Sequence, residues 1–281
     1  MSSNLYWKIV LSLVDRGITS AQMWRVVDSY QYHEVIRMKN HGFRIRNLLA
    51  DARKNMGLTK CALDYMKLNK INSQIEENTI YKLCQMNNLS PIKLATFMSK
   101  WSEAHSSHLG HRSRLAKNVF WVSGGGGLNS KARYLFDALC KSVPLVRFAD
   151  WLHCENPFLR CVDSLMIVWD NGKITAGTES IVKSVFAGEY VCIPAPKPYL
   201  KFEMFTKPVL LWGDEDCLCV HHRDFIDMDA IERFEPLIYK VVFKADASEL
   251  GDISVEDVYG FIQWGDEFGV IDDEMILVVN N

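Results

Sequence analysis

The chain has 281 residues, 48% hydrophobic and 23% charged with a formal net charge of −2, ordinary for a globular protein of one large domain or a small one joined to a larger. No apolar run is long enough to span a bilayer, the start Met1-Ser-Ser-Asn-Leu-Tyr-Trp lacks the pattern of a signal peptide, and eight scattered cysteines point to a reducing compartment. The small net charge hides a division: residues 1–133 carry 20 Lys/Arg and 8 Asp/Glu, whereas residues 134–281 carry 12 and 26. A basic half of this kind suits phosphate backbones or the acidic half of a second copy, or the two halves neutralise each other within one molecule.

The first third reads as helices. Leu5, Ile9, Val10, Leu13 and Val14 form an apolar stripe that Gly17 ends. Thr19-Ser-Ala-Gln22 resembles a capping box opening a second helix through Trp24 and Val27. Another helical stretch runs from about Tyr32 to Asn55, weakened at Gly42, with its stop at Met56-Gly57. The polar stretch Asn69 to Asn78 marks a boundary, dividing the chain into a helical bundle at 1–75 and a larger domain at 76–281. There, Thr79 to Met86 is a short amphipathic helix, and Ser90-Pro91 opens a helix that continues to about Trp101. The His-rich segment from Glu103 to Lys117, with His105, His108 and His111, reads as a linker.

Beyond it, apolar runs alternate with helical patterns: strand Val119–Val122, helix 130–142, strand 165–170, a helix near 177–187, and strands at 190–193, 209–212 and 238–243. Ser254-Val-Glu-Asp257 is a capping box for a last helix ending near Phe268. This alternation predicts an α/β fold with a central, mostly parallel sheet, preceded by the helical bundle.

The first strand leads into Gly124 to Gly127 and then a helix opening at Lys131, which is how a chain cradles phosphates: backbone N–H groups and the helix dipole meet the anion and the lysine adds a point charge. Counted from Gly125, the sequence Gly125-Gly126-Gly127-Leu-Asn-Ser130-Lys131-Ala132 departs from G-x-x-x-x-G-K-[ST] twice. Ser130 replaces the glycine, and the Ala132 methyl replaces the metal-binding hydroxyl. Asp170, closing the next buried strand, stands where such folds hold magnesium. Gly125, Gly126, Gly127, Ser130, Lys131 and Asp170 are thus the candidate nucleotide-binding residues. A glycine turn with no ligand, or a loop filled by side chains such as Leu128 and Arg133, is the competing reading.

Val14-Asp-Arg-Gly-Ile-Thr-Ser20, Met56-Gly-Leu-Thr-Lys60 with Asp64-Tyr65, Ile80-Tyr-Lys82, Glu155-Asn-Pro-Phe158, Cys161-Val-Asp163, Ile167-Val-Trp169 and Gly172-Lys173-Ile-Thr175 together resemble the helicase region of parvovirus Rep and non-structural proteins. The likeness is to the adeno-associated virus type and to the stand-alone Rep-like proteins of avian adenoviruses. It runs from about Leu11 to Phe268 and implies a superfamily-3 helicase: a helical bundle followed by an AAA+ domain, acting on viral DNA in the host nucleus. The family's origin-binding endonuclease domain has no room before Leu5. Carried over residue by residue, Lys131 matches the phosphate lysine and Asp170 the first acidic residue. Asn171 takes the place of the water-activating glutamate, and an amide cannot accept that proton. Trp212-Gly-Asp214 replaces the polar sensor, and Leu237 stands near the arginine-finger position, with Arg233 a helical turn away. The family's DNA-contacting hairpin falls near Ile193 to Lys201, making Lys197 and Lys201 the candidate DNA-binding residues; a solvated, proline-stiffened loop is the alternative.

Cys217-Leu-Cys-Val-His221-His222 contains zinc-type ligands, but its spacing is not that of a usual zinc site, so no metal is assigned. Cys154 and Cys161 read as core. No intact catalytic set remains. The expectation is a Rep-like, helicase-fold protein with a degenerate ATPase site that binds ATP weakly, with uncertain magnesium, and acts in viral genome replication. Its expected partners are DNA without sequence preference, further copies of itself, and host or viral replication proteins, with no membrane. A residually active ATP-dependent helicase and a host-factor interaction module without nucleotide are the alternatives.

Overall fold

The computed structural model describes residues 2–38, 43–71, 74–104, 117–124, 130–152, 156–194, 201–244 and 249–270. Helices come first: α1 (Ser2–Asp15), α2 (Ala21–Val27), α3 (Ser29–Arg37), α4 (Ile45–Thr59), α5 (Ala62–Met66), α6 (Thr79–Met86) and α7 (Pro91–Ser102). The α/β part follows: β1 (Val119–Gly124), α8 (Lys131–Lys141), β2 (Val146–Phe148), β3 (Met166–Asp170), β4 (Ile174–Thr175), α9 (Glu179–Phe186), β5 (Val191–Pro194), β6 (Lys201–Met204), β7 (Val209–Trp212), β8 (Val220–His221), β9 (Ile226–Asp227), α10 (Ala230–Phe234), β10 (Ile238–Phe243) and α11 (Val255–Phe268).

Several local expectations change. The long helix expected from Tyr32 to Asn55 is two helices, α3 ending at Arg37 and α4 beginning at Ile45; Gly42, the weak point of the pattern, lies outside the described residues. Gly57 does not stop α4, which runs on to Thr59; a Cβ there would lie 2.9 Å from the Asp163 carbonyl oxygen, so the glycine is a close-packing residue. The cap of α2 is Ser20, whose hydroxyl accepts from the Met23 N–H at 3.1 Å, one residue later than the Thr19 register. At α11 the expected box is present, with Ser254 accepting from the Asp257 N–H at 3.0 Å and Asp257 accepting from the Ser254 N–H at 2.9 Å.

The central sheet is five-stranded and wholly parallel, in the order β10-β1-β7-β3-β2. Its strands alternate between two apolar clusters. Phe120, Val122, Met166, Val168, Leu210, Val241 and Phe243 face one, while Val119, Trp121, Ile167, Trp169, Val209 and Leu211 face the other. This two-sided burial is what lets parallel strands read as continuous hydrophobic runs. The first cluster also holds the buried residues of α8, α7 and α11 and continues under α1 and α4, so one apolar core joins the leading helices to the sheet. α11 closes it by packing along α7 so tightly that a Cβ on Gly265 would lie 2.2 Å from the Ala95 carbonyl carbon.

Candidate functional site

In this strand order β1 leaves the sheet through α8 for the far edge, and the chain returns through β3 and β7. The C-terminal ends of β1, β7 and β3 therefore open together, which is where α/β sheets place ligands. Gly124, Trp212 and Asp170 end these strands, with Asp170 in register beside Trp212. The start of α8 lies above them.

Ser130 caps α8: its hydroxyl accepts from the Arg133 N–H at 3.2 Å. Ala132 is buried, and its methyl is so close to the end of β1 that a Cβ on Gly124 would come within 2.7 Å of it. Lys131 turns toward the loop before α11. Its Nζ donates to the Gly251 carbonyl at 3.2 Å, lies 3.7 Å from the Asp252 carboxylate and sits 5.2 Å from the Tyr134 ring centroid. Gly125, Gly126 and Gly127 lie outside the described residues, as does Leu128.

The group that meets Asp170 is Arg133. Its Nη1 donates to both carboxylate oxygens at 3.3 Å and its Nη2 to Oδ2 at 3.2 Å. Behind, Nε pairs with Asp137 at 3.1 Å, and the guanidinium lies 4.6 Å from the Phe136 ring centroid and 5.3 Å from that of Trp212. The Arg133–Asp137 pair, four residues apart on one helix, was available to sequence reasoning; the link to Asp170, 37 residues away, was not. Asn171 completes the arrangement. Its backbone has φ +47°, a conformation that asparagine tolerates better than most residues, and its amide donates to Asp170 Oδ1 at 2.8 Å. Trp212, at the end of β7, supplies an aromatic wall.

A magnesium ion needs oxygen ligands in near-octahedral geometry. Here the Asp170 oxygens already accept from Arg133 and Asn171, and Ala132 offers no hydroxyl. The residues present do not fit the ion.

The other candidates lie elsewhere. Leu237 ends a 3-10 turn, Glu235–Leu237, and packs against the second apolar cluster. Arg233 is held by Glu179 and Asp227, each at 2.8 Å. Lys201 is exposed and pairs with Pro194 across the antiparallel β5–β6 hairpin, while Lys197 lies outside the described residues. Among the described residues no group of three His, Cys, Asp or Glu side chains is placed to hold a metal. Cys217 and Cys219 are buried, and the Cys219 Sγ lies 3.3 Å from the Met228 sulfur. Burial pushes the Cys217 thiol up to about 12, and nearby acidic groups add to the shift. A cavity of about 490 Å³ lined by Lys70, Ile71, Ile75 and one side of α11 is remote in sequence from all of these candidates. No helix among the described residues is long and apolar enough to cross a membrane.

Comparison with known proteins agrees with this architecture. The family model described as parvovirus non-structural protein NS1 matches residues 1–276. The chain is 32% identical over 273 residues to an uncharacterized protein ORF2 of Fowl adenovirus A serotype 1, covering 94% of each chain. It is 25% identical to the protein Rep52 of Adeno-associated virus 2, covering 90% of this chain and 61% of Rep52. It is 23% identical to the initiator protein NS1 of human parvovirus B19 over 63% of this chain, but it spans only 25% of that relative's length. The parallel sheet and the helices before it are those of a superfamily-3, AAA+ type helicase domain. With the match running over nearly its whole length, the chain belongs to the parvovirus non-structural protein NS1 family.

Proposed function

We propose that this Rep-like protein acts in viral genome replication as a binding regulator, engaging DNA or replication proteins without an ATP-hydrolysis cycle. The observation that carries the reading is the Arg133–Asp170 pair: a buried-strand acid that holds the metal in active relatives of this fold is neutralised by the chain's own guanidinium. Three further features support it. Asn171 is an amide where a general base is needed, Leu237 is apolar where a finger is needed, and Arg233 is already paired with two carboxylates. Nucleotide, in this reading, is a weak ligand at the start of α8 rather than a fuel, and the degenerate site leaves the fold free to serve as a scaffold. DNA contacts are made to phosphates without sequence preference, through lysines such as the exposed Lys201 and, from the sequence alone, Lys197. The setting is the host nucleus, with further copies of the chain and replication proteins as partners.

The test is ATP turnover by the purified chain, with magnesium, with and without single-stranded DNA. Turnover at background in both conditions is expected. DNA-stimulated turnover that Lys131→Ala abolishes would instead establish an active motor.

A further inference from the structure

The misfit between this site and magnesium has a specific cause, and it deepens the nucleotide part of the proposed function, on which it rests. We infer that Arg133 takes the place of the divalent cation at Asp170, so that a polyphosphate arriving at the start of α8 meets a fixed guanidinium and binds without metal.

The geometry is that of a built-in cation. The guanidinium faces the Asp170 carboxylate with three N–H···O contacts of 3.2–3.3 Å, a two-pronged pairing that fixes orientation as well as charge. It is held from behind by Asp137 at 3.1 Å and from the sides by Phe136 and Trp212, and its side chain is only 16% exposed. A metal ion bound to Asp170 would have to displace it and leave the positive charge among aromatic rings. The adjoining residue that could have offered a hydroxyl to an ion is Ala132, buried against Gly124.

A guanidinium carries five N–H donors. Among the described residues Nε pairs with Asp137, Nη1 donates to both Asp170 oxygens and Nη2 to Oδ2. These contacts leave Nη2 a second N–H for a phosphate oxygen, and a planar guanidinium suits phosphate well. Arg133 belongs to the first turn of α8, where the helix dipole also favours an anion. Lys131, on the same turn, contacts a carbonyl, the exposed Asp252 and the Tyr134 ring among the described residues, none of them a buried charge partner, so an incoming phosphate can recruit it.

The experiment is equilibrium binding of ATP to the full chain in EDTA and in millimolar magnesium, for wild type, Arg133→Gln, Arg133→Lys and Asp170→Asn. Wild type is expected to bind equally, within about twofold, in the two conditions. Arg133→Gln should bind about tenfold more weakly in EDTA and recover when magnesium is added, because the freed Asp170 then takes the ion. Arg133→Lys keeps the charge and should stay independent of metal, and circular dichroism of each variant separates loss of binding from loss of fold. Magnesium that tightens wild-type binding tenfold or more overturns the inference while leaving the proposed function standing. No ATP binding by wild type in either condition also overturns it. Turnover by wild type overturns the proposed function instead.

Discussion

Lys207 shows how one residue ties the two parts of this chain together and sets a measurable pH dependence. Its amine is buried where β7 begins, and Nζ donates 2.7 Å to the Gly57 carbonyl inside α4. Burial pushes it down to about 8, with the Asp163 charge, and less so Cys61, pulling the other way. The charged form is thus disfavoured in the folded protein. Below pH 8 the cost is present in full; between about 8 and 10.5 the folded amine is neutral while the unfolded one is still protonated, so this group's contribution improves as pH rises. Wild type should therefore gain about 3 kcal/mol relative to Lys207→Met between pH 7.5 and 10.5, measured by urea denaturation at fixed pH. Cys61, Cys84, Cys140, Cys161 and Cys217, each pushed up to about 12 by burial, act in the opposite sense. Their stabilisation is whole below pH 9 and is lost as pH climbs toward 12; for the four other than Cys61, which alone among them acts on Lys207, it is alike in both proteins and cancels in the difference. A difference that stays flat with pH would show that the amine keeps its ordinary value.

At the scale of elements, the seam between α7 and α11 depends on a missing side chain. Backbone atoms of Ala95 occupy the space a Cβ on Gly265 would need, so the helices cannot approach this closely with any other residue there. Gly265→Ala, although it favours helix locally, is expected to destabilise the protein by roughly 3 kcal/mol because neither backbone can yield. Gly251→Ala, with nothing within 4 Å of its Cβ, is the matched control and should change stability by less than about 0.5 kcal/mol. Thermal or urea melts of the two variants make the comparison. The Ser254–Asp257 box at the head of α11 is a second handle: Ser254→Ala removes an acceptor for an orphan N–H and should cost about 1 kcal/mol. An unchanged urea midpoint would mean that packing against α7 and α6, rather than the cap, defines where α11 begins.

For the whole molecule, the uneven charge is the feature with consequences. Residues 1–133 carry 20 basic and 8 acidic side chains, and contacts from such a surface to nucleic acid are made to phosphates. Affinity for single-stranded DNA should accordingly fall by about tenfold or more between 50 and 200 mM salt and hardly vary with sequence. Lys201→Ala should weaken binding uniformly and reduce the salt slope by about one if the β5–β6 hairpin meets the strand. Fluorescence anisotropy over a salt series measures both. Tight binding to one sequence that survives high salt would contradict this picture, and no binding at any salt would move the function to protein partners.

Much of the architecture was settled by pattern alone, because the signals are local. Val119–Val122 and Leu165–Trp169 are apolar runs bounded by turn residues, and the Ser254 box announces α11; each depends on neighbours within a few residues in the chain. The order β10-β1-β7-β3-β2 follows from no single run. The short β2 escaped because Val146–Phe148 is only three residues long and partly exposed, and it becomes a strand by pairing with β3. Gly57 read as a stop because the backbone it packs against, at Asp163, is more than a hundred residues away in the chain. At the site, the sequence supplied the candidates for the chemical positions: Lys131, Ala132, Asp170, Asn171. Only the tertiary structure decided what those groups touch. Arg133 reaches Asp170 because the parallel sheet sets the ends of β1, β7 and β3 side by side beneath one helix turn, and Lys131 reaches Gly251 in the segment between β10, the other neighbour of β1, and α11; a contact between distant segments is a property of the sheet rather than of either segment.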